Sequence, residues 1–191
     1  TTFSQCNLYG ANLKYSTLRT NIKFSNSFLN GADISGLTVI DSSFFDESMS
    51  YFNAENTTFK NTTFSGMSFD SSNFKNSTLD HVTFSNCNMN SVNFLSSKLN
   101  AVSFYSGTIK NSNFLLSTIK DVTFSSNFLS CDFENINFET SFFANSSFEL
   151  SNFKKAKFIT SSISNSKFLY SDLSLVKFAK DDNSMNHSIY Y

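Results

Sequence analysis

Almost every fifth residue of the chain is large and apolar. From Phe24 the steps of five run through Leu29, Ile34, Val39, Phe44 and Met49. They continue from Phe59 through Phe64, Phe69, Phe74, Leu79 and Phe84 to Phe124, with Ala54 the one departure. An α-helix repeats its faces every 3.6 residues and a strand every two, so neither carries this pattern. A five-residue repeat of this length specifies a solenoid, in which each unit buries its apolar residue against the next.

The register extends to both ends. Phe3, Leu8, Leu13 and Leu18 belong to the same series, and the step from Leu18 to Phe24 is six. The step from Phe124 to Phe128 is four, after which Phe133, Phe138, Phe143, Phe148, Phe153, Phe158, Ile163, Phe168, Leu173 and Phe178 follow in fives. These 36 centres hold 21 of the 25 phenylalanines. Two residues before each centre the chain is mostly small, as at Cys6, Ala11, Ser72, Ser77, Cys87, Ser112, Ser146 and Ala156, with a polar residue between. The unit small–polar–large–polar–polar, as in Ser72-Asn73-Phe74-Lys75-Asn76, resembles the pentapeptide-repeat family over residues 1 to about 180.

The resemblance implies an all-β fold: a right-handed four-sided parallel β-helix, four units to the coil, with the large and small residues inward. A four-sided coil leaves a twenty-residue period, and Phe24, Phe44, Phe64, Phe84, Phe104 and Phe124 supply it. Allowing for the two register shifts adds Phe3 and Phe143. Thirty-six centres make about nine coils, roughly 43 Å of rod at ~4.8 Å per strand. Residues 1–180 then form the solenoid, and 181–191 read as a cap or as a linker to a following domain. The chain opens at Thr1 already in register, which reads as a segment of a longer protein. Proline is absent, as expected where backbone N–H groups pair from coil to coil, and with only five glycines the turns fall to Asn, Ser and Asp.

No catalytic constellation is present. His81 and His187 are far apart, and Asp46–Glu47 reads as a solvated loop. Cys6, Cys87 and Cys131 occupy small inward slots. Cys6 and Cys87 share a face four coils apart, too far for a disulfide, so all three read as buried reduced thiols. No phosphate loop or metal motif occurs, so the segment is expected to use no cofactor, take no small-molecule substrate and catalyse nothing. No apolar run has membrane length.

The surface carries the functional signal. Residues 131–152 hold Asp132, Glu134, Glu139 and Glu149, whereas 153–180 hold Lys154, Lys155, Lys157, Lys167, Lys177 and Lys180 against Asp172. Apolar residues recur in outward slots: Leu95, Leu115 and Leu116 on one face, and Leu129, Leu150, Leu169 and Tyr170 on the adjacent one. Stacked apolar residues in outward slots mark an interaction surface. These seven, bordered by Lys154, Lys155, Lys157 and Lys177, are the candidate partner site. Residues 45–56 are the degraded stretch. Glu47 falls in an inward slot there, and Phe52 and Ala54 exchange the large and small positions. That coil is expected to be the least regular, with bulges at 18–24 and 124–128.

Three functions compete. An interaction module binding a host or bacterial protein fits best. The Phe-, Asn- and Ser-rich units resemble those of enteric type III effectors, including a group whose β-helix precedes a HECT-like ubiquitin-ligase region. That likeness implies synthesis in the bacterial cytoplasm and action in a host cell. The family's quinolone-resistance proteins imply the alternative of DNA mimicry toward a topoisomerase such as gyrase. That role needs dense acidic charge, and a net charge of −1 disfavours it, as it disfavours nucleic acid as a partner. A structural spacer is the third.

Overall fold

The computed structural model describes residues 2–16, 23–25, 27–45, 48–179 and 189–190. It is an all-β parallel solenoid, with no helix among the described residues. Each strand pairs with the equivalent strand one coil on: Ser43–Phe45 with Thr63–Ser65, Thr83–Ser85 with Ser103–Tyr105, and Phe142–Ala144 with Ser162–Ser164. Four faces follow in chain order. The first is centred on Phe44, Phe64, Phe84, Phe104, Phe124 and Phe143, and the second on Met49, Phe69, Met89, Ile109, Phe128 and Phe148. The third is centred on Ala54, Phe74, Phe94, Phe114, Phe133 and Phe153, and the fourth on Phe59, Leu79, Leu99, Ile119, Phe138 and Phe158. All of these centres are buried. The unbroken run 48–179 makes about seven turns rather than the nine expected, because residues 17–22, 26 and 46–47, which interrupt the earlier turns, lie outside the described residues.

The twenty-residue ladder becomes a column of stacked rings. Centroids on the first face lie 4.8 Å apart for Phe44–Phe64, 5.1 Å for Phe64–Phe84 and 5.2 Å for Phe84–Phe104. The spacing is that of paired parallel strands, so ring contact and backbone pairing share one repeat. Neighbouring faces meet edge-on, as for Phe64–Phe69 at 84° and Phe84–Phe94 at 80°. Small-slot hydroxyls tie successive coils together: Ser72 Oγ donates to the Met49 carbonyl at 2.6 Å and Ser146 Oγ to the Phe124 carbonyl at 2.7 Å. Centres at the two ends are less covered. Phe3, Leu8, Leu13, Ile163, Phe168 and Leu173 are half-buried and Phe178 is exposed, since a ring needs a coil on each side to be enclosed. These end centres still point inward, packed against the core or, for Phe178, stacked on Phe158.

The corners follow one rule. Among the described residues, the second residue after each centre except Phe124 has positive φ, in 27 non-glycine residues as well as Gly10, Gly31, Gly36 and Gly66. At the corner leaving the third face the next N–H returns to the centre's carbonyl, as from Ser77 to Phe74. At the corner leading into it Ser72 does the same to Phe69, whereas Val92, Cys131 and Ser151 donate to the hydroxyls of Ser112, Ser151 and Ser171 in the next coil. A positive φ at the third of four residues, closed by that bond, is the type II geometry, which favours Gly and Asn. Asn, Ser and Asp do fill many corners, but Leu, Tyr, Thr and Lys fill others.

The four-residue step appears where expected, as a register shift between Ser125 and Asn127. Here Ser126 turns inward and accepts the Gly107 N–H at 3.2 Å. Gly107 is required for space, because a Cβ on it would lie 2.5 Å from the Cys87 carbonyl oxygen. The six-residue step at 18–24 falls largely outside the described residues. The pairings Asn12↔Asp33 and Phe24↔Phe44 nevertheless confine the extra residue to the interval between Asn12 and Phe24. Glu47 also lies outside them. Residues 48–56 keep the regular backbone, against expectation, with Phe52 and Ala54 both buried. The exchange of large for small leaves the coil intact because Phe52 fills the volume that Ala54 vacates, 6.4 Å from Phe74. The tail's Ile189–Tyr190 pairs with Ser166–Lys167 on the second face; His187 and the other residues of 180–191 lie outside the described residues.

Two stability outcomes follow. Phe52→Ala is expected to lose about 3–5 kcal/mol, as for other buried Phe truncations, in a denaturant titration. Gly107→Ala is expected to lose about 1–3 kcal/mol, the range for forcing a methyl into a packed site, whereas Gly10→Ala, with open space around its Cβ position but φ +62°, meets no clash and is expected to lose about 1–2 kcal/mol through its backbone alone.

Candidate functional site: the third face and its two corners

One residue before each third-face centre the side chain is always Asn or Asp: Asn12, Asp33, Asn53, Asn73, Asn93, Asn113, Asp132, Asn152 and Asp172. Each Oδ1 accepts the N–H two residues on, at 2.8–3.2 Å. This local bond closes the chain into the corner that follows. The amides also reach along the rod: Asn73 Nδ2 donates to Asn53 Oδ1 at 3.2 Å, Asn93 to Asn73 at 3.3 Å and Asn152 to Asp132 at 3.2 Å. Burial opposes ionisation of Asp33, but hydrogen bonds from Ser35 and Asn53 prevail and hold its carboxyl below the usual range. The Ser174 hydroxyl and N–H do the same for Asp172. The twenty-residue recurrence of Asn in this slot was a legible signal of the ladder that the sequence reading missed.

The ladder divides the candidate residues. Leu95 and Leu115, half-buried, and Leu116, exposed, lie on one side of it at the corner leading to the fourth face. Leu129, Leu150, Leu169 and Tyr170 lie on the other side, at the corner leading in from the second face. There, Leu129 pairs with Glu149, which separates it from Leu169, whereas the Leu150 N–H bonds the Leu169 carbonyl directly. The apolar residues thus form two groups flanking one face. Lys154 and Lys155 follow the Phe153 centre of that face, one coil before its last centre, Leu173. Lys157 and Lys177 are register partners just beyond the corner, and none of the four makes an ion pair among the described residues. The acids Asp132, Glu134, Glu139 and Glu149 are spread over three faces and form no continuous column.

Three of the apolar residues occupy corner positions that disfavour them twice. Leu116 has φ 58° and is 73% exposed, Leu150 has φ 52° and is 56% exposed, and Tyr170 has φ 54° and is 84% exposed. A left-handed conformation costs an ordinary L-residue about 1–2 kcal/mol, which Gly avoids and Asn reduces. Tyr15, Tyr51 and Leu175, exposed at the equivalent corner positions, had no sequence signal beyond their slot. Lys155 shares the geometry with φ 60°.

His81 lies at an exposed corner with Nδ1 2.9 Å from Asp80. No group of three or more His, Cys, Asp or Glu that could hold a metal occurs among the described residues, and no helix there is long and apolar enough to cross a membrane. Cys87 and Cys131 are free and buried, and Cys6 is free and half-buried. Desolvation pushes the Cys87 thiol up to about 11 and the Cys131 thiol up to about 12. Their neutral form stabilises the fold fully below the unfolded thiol's pKa of 9.0, and this contribution is lost as pH rises through 11 and 12. The thermal midpoint is therefore expected to fall above pH 9 more steeply in wild type than in a Cys87→Ala, Cys131→Ala variant, as read by circular dichroism across a pH series.

No curated protein sequence matches the chain. Among solved structures it is similar to HetL, a pentapeptide repeat protein involved in heterocyst differentiation regulation from the cyanobacterium Nostoc. Identity is 12%, the match covers 92% of this chain and 84% of that one, and the TM-score is 0.51. A trypsin-treated form of QnrB1, a plasmid-mediated fluoroquinolone resistance protein, matches at 18% identity over 93% of this chain and 90% of that one, with a TM-score of 0.44. At such identity the first likeness speaks for the fold alone. Residues 57–130 match the model of the pentapeptide repeat region. The same coil runs on to Ala179 with its centres in register, so the repeat pattern matched over residues 57–130 continues beyond them, and the chain resembles the pentapeptide-repeat proteins in fold.

Proposed function

We infer that the solenoid is a protein-recognition rod that engages its partner through the third face and the two corners beside it, and catalyses nothing itself. One observation carries this reading. Leu116, Leu150 and Tyr170 combine an unfavourable backbone conformation with exposed apolar side chains. Residues that break a local preference without a gain in the fold are expected where function requires them. The rod is preorganised, so docking orders little of it, and modest apolar groups can anchor a partner. Lys154, Lys155, Lys157 and Lys177 at the rim govern association rate and salt dependence, while the apolar corners set affinity. The Phe-, Asn- and Ser-rich units support placing the rod in a larger bacterial effector acting in a host cell, where it presents substrates to a HECT-like ligase region.

The test uses a Leu116→Asn, Leu150→Asn, Tyr170→Asn variant. It is expected to melt at or above the wild-type temperature, because Asn accepts these corners more readily, and to recover less of any specific partner in a pull-down from host or bacterial lysate. A variant equal to wild type in partner recovery removes this surface from consideration. Inhibition of gyrase supercoiling by the wild-type chain, retained in the variant, supports topoisomerase binding in its place.

A further inference from the structure

The first face differs from the other three in what it turns outward. Between Ser43 and Ser164, the two outward slots flanking its seven centres hold ten Ser or Thr, three aromatic residues and one Ala, with no charged residue. The same slots on the second, third and fourth faces carry 4, 6 and 7 charged side chains. The aromatic residues are Phe45, Tyr105 and Phe142, exposed by 50%, 42% and 49%. Strand register fixes their positions. Phe45 lies in one column with Ser65, Ser85 and Tyr105, and Phe142 in the other with Thr63, Thr83 and Thr123. At ~4.8 Å per strand, Tyr105 lies about 14 Å from Phe45 along the rod and Phe142 about 10 Å further on.

The hydroxyls between the rings are unengaged. Those of Thr63, Thr83, Thr123, Ser65, Ser85 and Ser125 make no hydrogen bond among the described residues and are half-exposed. By contrast, inward serines such as Ser72 and Ser146 bond to backbone, and the third-face amides bond to their own turns. The first face therefore offers a flat, repeating array of free donors and acceptors, with ring faces at intervals and no charge.

We propose that the first face binds a neutral polysaccharide laid along the rod. A sugar chain supplies what this surface lacks partners for. Its hydroxyls pair with the Ser and Thr columns, and its C–H-lined ring faces stack on Phe45, Tyr105 and Phe142, contacts that need no ionic component. Nucleic acids and acidic glycans require cations, and the face has none. A chain of several sugar units spans the roughly 24 Å from Phe45 to Phe142. The third face takes no part, so this surface and the protein-recognition surface can fail separately.

The test is native affinity electrophoresis of the chain in gels containing mixed-linkage β-glucan, galactomannan or amylopectin, with co-sedimentation on cellulose and chitin, at low and high salt. Retention by at least one of these polymers, unchanged by salt, is expected. Tyr105→Ala and Phe142→Ala should each weaken it roughly 2- to 10-fold, the range for loss of one ring contact, without lowering the melting temperature. Thr83→Lys should weaken it by placing a charge mid-face, and Leu116→Asn should leave it unchanged. The proposal is overturned by no retention on any of the five, by retention equal in wild type and ring variants, or by binding confined to polygalacturonate or heparin and abolished by salt. Self-association abolished by Tyr105→Ala, without polysaccharide binding, would show that a second copy covers the face and would likewise overturn it.

Discussion

Everything in this molecule depends on one coincidence of lengths. Parallel strands pair at about 4.8 Å, and aromatic rings pack face to face at nearly that distance, 4.7–5.2 Å for Phe124–Phe143, Phe94–Phe114 and Phe74–Phe94. A Phe column can therefore stack without stretching either the rings or the hydrogen bonds. Each ring contributes roughly 1.5–3 kcal/mol of transfer free energy against the cost of ordering its coil. The small slot two residues earlier is the corollary. It lets the backbone close over the ring, and at Ser72 and Ser146 the hydroxyl reaches the adjoining coil.

Because the core absorbs only two residues in five, the other three are free to differ from face to face. The third face spends one of them on an Asn or Asp that locks its own corner, so its surface is rigid and its oxygens are occupied. The first face leaves its hydroxyls open. Four surfaces with distinct chemistry thus share one core, and each can change without disturbing the rest.

The interior was legible in the sequence because one slot in five dictates it. The five-residue step yields the centres, the twenty-residue step yields the faces, and the short step at Phe124–Phe128 locates the register shift at Ser125–Asn127. The proposed partner surface was legible only as slots. Leu129 and Leu169 share a column, but the intervening Glu149 and the amide ladder between Leu150 and Leu116 show their effect only once neighbours are placed side by side. The strain at Leu116 and the need for Gly107 were hidden for a simpler reason: both depend on backbone geometry, a positive φ in one case and the approach of the Cys87 carbonyl in the other. The exchange at Phe52 and Ala54 misled as a sign of irregularity, since volume rather than residue order is what the coil conserves.

The register shift also bears on how the rod yields under load. A solenoid holds each coil only by its two neighbours, so tension between its ends is carried in series and the weakest interface parts first. On the first face the ring spacing widens to 5.8 Å between Phe104 and Phe124, beside the missing residue, against 5.2 Å or less elsewhere in that Phe column. Pulled lengthwise, the chain should pay out in increments of one coil, and this interface is the one along the column from Phe44 to Phe143 where ring contact is least close.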